Sequence, residues 1–243
     1  MAKLVQKSGY IKSGKASGYM RYIATREGVE KLAGNGAVTK GQRELIQKLL
    51  TDFPDAVELL EYEDYCKTPT LGTASAFITM ALDANLHEID SESGYMQYIA
   101  TRPRVQKHGS HGLFSSSTSA DLASAMSELE AHEGNVWTII YSLRREDAAR
   151  LEYDSADAWR TLLMENAPTL AKSMKISLDN FHWYAAFHDE GHHPHIHMMV
   201  WSDDPKEGFL TKDGIAAMRS KLTNAIFRDE MQQIYERKDV AYS

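Results

Sequence analysis

The 243-residue chain has a single cysteine, Cys66, so no internal disulfide can staple it, and a reducing interior is the natural compartment. It has no basic-then-apolar N-terminal signal and nothing near the roughly 18 consecutive apolar residues a membrane span needs. A cytoplasmic protein with no membrane partner is expected. Net positive charge is lacking as well: the total is −7, which at first argues against nucleic acid. With 43% hydrophobic and 25% charged residues, the composition is that of an ordinary soluble globular protein, long enough to bury most of its apolar surface.

The charge is unevenly placed. Residues 1–50 hold ten Lys and Arg against three acids, a balance of +7, which leaves −14 for the other 193 residues. A second basic stretch, RPRVQKHGSHG, covers Arg102–Gly112. Basic faces on an acidic body can still steer phosphates.

Two ten-residue segments are nearly identical: SGYMRYIATR at Ser17–Arg26 and SGYMQYIATR at Ser93–Arg102. They differ only at Arg21 and Gln97, and their most reactive side chains are tyrosines. Aromatic residues three apart often pack a helix onto a core, so duplication alone assigns no chemistry.

Along the chain, AKLVQKSGYIK reads as a strand, and YIATREGVEKLAG as a helix stopped by Gly34 and Gly36. TKGQRELIQKLLTDF has helical apolar spacing and is closed by Pro54; EYEDYCKTPT reads as a connector, and GTASAFITMALDANL as another helix. HGLFSS reads as a short strand, SADLASAMSELEAHE as a helix capped by Ser119 or Asp121, and NVWTIIYSL as a buried strand. DSADAWRTLLMENAPTLAKSMKI reads as helical with a break at Pro168, and a long helix from Lys212 to about Lys238 ends the chain. FHWYAAFH and HIHMMVWS are two strands joined by DEGHHP, an antiparallel hairpin. The expected class is α+β, helices covering an antiparallel or mixed sheet, in one integrated unit over 1–243 with a helical insertion at roughly 28–92.

Five of the ten histidines lie within His188–His197. Side chains alternate faces on a strand, so His195 and His197 share one face, and the hairpin brings His188 beside them. Three neutral imidazoles converging there suit a divalent cation, with coordination positions left for phosphate oxygens or water. Asp189 and Glu190 are candidates to orient a ligand histidine. Such a cation beside a tyrosine makes a phosphoryl-transfer constellation: phenolate attack on a DNA phosphodiester gives a phosphotyrosine link and a free 3′-hydroxyl.

His188 and HIH after Pro194, together with the YIATREGVE helix, VWTIIYSLRREDA and WYAAFHDEGHHPHIHMMVW, resemble the HUH endonuclease superfamily. More narrowly they resemble conjugative relaxases of the MobP/MobL type, over nearly the whole chain. The resemblance implies a five-stranded antiparallel sheet covered by helices, with Mn²⁺ or Mg²⁺ held by His188, His195 and His197 on its central strands. It further implies strand-specific nicking at an origin of transfer, a monomer on single-stranded DNA, and relaxosome accessory and coupling proteins as partners. Three imidazoles would also accept Zn²⁺, Ni²⁺ or Co²⁺. Such relaxases usually carry a C-terminal extension.

The family needs one tyrosine motif, and two are present. Tyr22 and Tyr98 hold the Tyr-Ile-Ala position and are the candidate nucleophiles, ahead of Tyr19 and Tyr95. Arg21 and the basic setting of the first copy favour Tyr22. Arg21, Arg26, Arg102, Lys12 and Lys15 are the candidate DNA-binding residues. Two alternatives stand beside this reading. His193, His195 and His197 at alternate positions resemble the histidine-triad nucleotide hydrolases, and the basic segment would equally serve a non-catalytic DNA-binding accessory protein.

Overall fold

The computed structural model describes residues 3–10, 35–85, 92–101, 105–116, 120–189 and 193–228, with the backbone alone given for 92–95 and 98. Its centre is set by two segments rich in β-branched and aromatic residues. WTIIYS forms β3 (Trp137–Ser142), and HIHMMVWS forms β5 (His195–Ser202), every residue of which is buried. Continuous burial means cover on both faces, which only an interior strand receives. The sheet order is β1-β3-β5-β4-β2, with β1 at Val5–Tyr10, β2 at Leu113–Phe114 and β4 at Phe181–His188. All four pairings are antiparallel, as expected.

Eight α-helices lie among the described residues: α1 (Lys40–Asp52), α2 (Leu60–Lys67), α3 (Leu71–Ala84), α4 (Glu92–Thr101), α5 (Leu122–Glu130), α6 (Arg145–Arg150), α7 (Ala156–Ser173) and α8 (Lys212–Ile226). One sheet face, carrying Ile139, Tyr141, Phe187, Ile196 and Met198, packs on Trp159, Leu163 and Leu170 of α7 and Met218 and Leu222 of α8. On the other face, Ala186, Met199 and Trp201 pack under α4 and α5, while Ile140 packs under α1 and α3. His197 pairs with Ile140 on one side and Ala186 on the other, so it lies between these two helical groups.

Local chemistry explains several helix starts. Thr39 and Gln42 form a reciprocal capping box for α1, Thr70 and Thr73 do so for α3, and Asp121 caps α5 as expected. Three expectations change. EYEDYC is not a connector but the body of α2: Tyr62 and Tyr65 rest on Phe77 with ring centroids 5.0 and 6.3 Å away, and this packing stands in for a side-chain N-cap. Pro168 does not break α7. Pro168 and Met164 both face solvent, so the carbonyl four residues back that loses its partner can be hydrated, while Trp159, Leu162, Leu163 and Leu170 hold the opposite face in the core. Pro54, expected only to close α1, also opens a 3₁₀ turn, Pro54–Glu58. Of the long C-terminal helix, α8 covers Lys212–Ile226, and residues 229–243 lie outside the described residues, as does the expected helix ending at Gly34.

Candidate metal centre

The antiparallel register of β4 and β5 places His188 directly opposite His195, and His197 follows two residues on along the same face. All three are buried, at 0, 1 and 0% exposure. Each offers one ring nitrogen, and these three nitrogens lie within 4.8 Å of one another. Ring centroids are 4.5 to 5.2 Å apart. Among the described residues this is the group of three such donors that comes together.

Backbone carbonyls fix two of the tautomers. His188 Nε2 lies 2.8 Å from the Ile99 carbonyl, and His195 Nδ1 lies 3.0 Å from the His193 carbonyl. A carbonyl can only accept, so both ring nitrogens donate, and the lone pairs fall on His188 Nδ1 and His195 Nε2. Outer-shell acceptors of this kind raise ligand basicity and hold the ring in place, so the donor set fits a divalent cation.

Ile99 belongs to the last turn of α4, where helical carbonyls have no partner within the helix. Its bond to His188 and that of Ala100 carbonyl to Gly112 N–H (2.8 Å) satisfy two of them. The negative end of the α4 dipole thus meets the histidine cluster, an arrangement favourable to a cation. α4 carries the second tyrosine copy, and Ile99 immediately follows Tyr98. The chain beyond that copy is tied to the same place: Val105 bridges to His188, and Gln106 N–H donates to the Phe187 carbonyl at 2.9 Å.

A second layer comes from α2. His193 is buried just before β5 and its Nε2 lies 2.6 Å from Asp64 Oδ2. Asp64 Oδ1 accepts from Arg144 at 3.0 Å, Arg144 also reaches Glu63 Oε2 at 3.1 Å, and Glu63 Oε1 pairs with Lys3 at 2.5 Å. Burial of Asp64 opposes its ionisation, but hydrogen bonds from Arg144 and His193 and their charges outweigh it and hold the carboxyl below its usual range. Glu63 is held low chiefly by its hydrogen bond from Lys3. An ionised Asp64 can only accept, so His193 Nε2 is the donor.

Of the residues singled out in the sequence, the structure brings His188, His195 and His197 together. Asp189 does not orient them: it is exposed and pairs with Arg145 at 2.6 Å, while Glu190 lies outside the described residues. His193 does not make an alternating triad with His195 and His197, since it precedes the strand and its ring turns to Asp64. Tyr19, Tyr22, Arg21, Arg26, Arg102, Lys12 and Lys15 lie outside the described residues, and of Tyr95 and Tyr98 only the helical backbone is described. Asp64, Glu63, Arg144 and Ile99 were not singled out. Asp64 sits 129 residues from His193, in a polar stretch with no motif to mark it.

No described helix is long and apolar enough to cross a membrane. No curated protein and no solved structure matches the chain. The family model of MobL relaxases matches residues 1–242. A three-histidine cluster on the central strands of a five-stranded antiparallel sheet accords with that match, and the chain belongs to the MobL relaxase family, with a relaxase function on single-stranded origin-of-transfer DNA.

Proposed function

We propose that this relaxase is a divalent-metal-dependent, strand-specific DNA nickase and strand transferase whose nucleophile is a tyrosine. The observation that carries the reading is the cluster of His188, His195 and His197, two of its tautomers set by backbone carbonyls so that the lone pairs lie on His188 Nδ1 and His195 Nε2. Mn²⁺ or Mg²⁺ is the proposed ion. When bound, it would polarise a phosphoryl oxygen and stabilise charge gained in the transition state.

The chain's own part is nucleophilic. A tyrosine oxygen attacks the scissile phosphorus, a Tyr–O–P bond forms, and the P–O3′ bond breaks. The phenol proton ends on the departing 3′-hydroxyl, and the 5′-phosphate stays on the protein. Free phenol titrates near pH 10, so the attack needs a site that stabilises the developing phenolate. Tyr22 and Tyr98 are the candidates. The Ile99–His188 bond supports Tyr98, because it ties the helix of the second copy to a metal-binding histidine. The basic segment and Arg21 support Tyr22. Arg26 and Arg102 close the respective copies, and Lys12 and Lys15 precede the first; all are proposed to neutralise flanking phosphates.

The test is a labelled single-stranded oligonucleotide carrying the cognate origin, incubated with the protein and Mn²⁺ or Mg²⁺. A covalent adduct that EDTA abolishes is the expected result, with loss of the adduct in Tyr98→Phe or Tyr22→Phe naming the nucleophile. Binding with no adduct would favour the accessory-protein reading, and full turnover in EDTA would favour a metal-free histidine nucleophile. An adduct that survives in the doubly substituted Tyr22→Phe, Tyr98→Phe chain would overturn the assignment of the nucleophile to these two positions.

A further inference from the structure

The metal-binding histidines come from one hairpin, yet the hydrogen bonds behind them lead to a different part of the chain. His195 Nδ1 is held by the carbonyl of His193, and the His193 ring is held in turn by Asp64 of α2 at 2.6 Å. Between these contacts the backbone has little freedom. Pro194 fixes its own φ, and its carbonyl accepts from Leu143 N–H at 3.2 Å. Asp64 is gripped on its other oxygen by Arg144, which is braced by Glu63.

We infer that the centre is composite: Asp64 is a positioning residue for the metal ligand His195, acting through His193, so that α2 is a working part of the site. The inference rests on the metal-centre reading above. Asp64 touches no ligand atom. Its carboxylate sets the His193 ring, which sets where the His193 carbonyl stands. That carbonyl decides which His195 nitrogen carries the proton and which way the other points. The Arg144 fork is suited to this, since one planar guanidinium bridges two neighbouring carboxylates of the same helix turn and fixes α2 to the residue immediately preceding α6. Sequence separation fits the same view: the four residues in this layer outside the hairpin, Lys3, Glu63, Asp64 and Arg144, belong to three segments far apart in the chain.

The experiment is Mn²⁺ affinity of the full chain, measured by calorimetry without DNA and paired with thermal melting. Asp64→Ala is expected to weaken Mn²⁺ binding about tenfold, the lower end of what outer-shell partners contribute. Asp64→Asn keeps the shape and an acceptor but gives up the charge opposite Arg144, and is expected to fall between Asp64→Ala and the parent. Glu63→Gln, one step further from the ligand, is expected to stay within about twofold. If Asp64→Ala fails to fold, Asp64→Asn decides by the same criterion. Unchanged Mn²⁺ affinity in a folded Asp64 variant would overturn the inference and leave the metal centre standing. A loss in Glu63→Gln equal to that in Asp64→Ala would also overturn it, since general loosening of the segment would then explain both. A parent chain that takes up no Mn²⁺ would overturn the metal centre as well.

Discussion

The β4–β5 hairpin carries histidines on the same face at both of its ends, and the two ends differ in what surrounds them. At the tip, His188, His195 and His197 are fully buried and converge. Six residues along, roughly 20 Å at strand rise, His182 is 38% exposed. There it stacks on Trp201 with 14° between the rings, and its Nε2 pairs with Asp203 at 2.7 Å. His132 leans on the same indole, and Glu128, His132, Glu133, His182, Trp201 and Asp203 line a cavity of about 400 Å³. Acids and imidazoles are as plentiful at this far end, yet they do not bring three donors together. What separates the ends is the acceptor behind each ring. Carbonyls behind His188 and His195 leave a lone pair facing the cluster, whereas at the far end a carboxylate and ring stacking tie the imidazole down.

The sharpest way to break the contrast is at the ligands themselves. His197→Ala is expected to lower Mn²⁺ affinity by more than the ~10–100-fold typical of an outer-shell loss. His182→Ala is expected to leave it unchanged, and calorimetry with the two variants side by side checks both. Next in size is a stability effect confined to the far end. Trp201 is 2% exposed and is packed by Tyr184, with ring centroids 5.6 Å apart, and by His182. Trp201→Ala is expected to cost about 3–5 kcal/mol in urea unfolding. An unfolding midpoint that stays put would show that the far end is not the packed structural element it is taken to be.

Smaller effects sharpen the comparison by pH. Burial lowers the His132 pKa, with a hydrogen bond from its ring to the Asn135 backbone carbonyl and the Asp203 charge opposing it. Below the ordinary value of about 6.5 the unfolded chain takes a proton that folded His132 resists, so stability falls as pH drops from 7 towards its folded pKa. His132→Phe is expected to flatten this part of the stability–pH profile measured in EDTA; an identical slope in both proteins would remove His132 from the explanation. Tyr184, its pKa pushed up to about 12 by burial and then by Glu128, stays neutral throughout that range. The His182–Asp203 pair is exposed, so Asp203→Asn is expected to shift stability by no more than ~1 kcal/mol in the same titration.

The sequence shows the tip of the hairpin well, for a physical reason. A strand has period two and a short turn fixes its register, so His195, His197 and a facing His188 follow from spacing alone. The α+β class and the five-stranded sheet were legible from the alternation of strands and helices and from the family resemblance. Helical backbone at the second tyrosine copy was legible too. Its tie to the site was not, since Ile99 contributes a carbonyl, which every residue has. Asp64 was hidden differently. Its helix has no capping signal and forms because Tyr62 and Tyr65 find Phe77, and its partners are supplied by residues 80 and 129 positions away. Pro168 misled for a third reason: where a proline sits on a helix decides whether its lost bond is exposed to water, and the solvent face of α7 emerges only with the packing.

Anomalous diffraction at the manganese edge, from crystals grown with Mn²⁺, tests the metal centre most directly. A single strong peak is expected within bonding distance of His188 Nδ1, His195 Nε2 and a ring nitrogen of His197. A strong peak beside His182 and Asp203 instead, or no peak at the hairpin tip at saturating Mn²⁺, would contradict the assignment of the two ends.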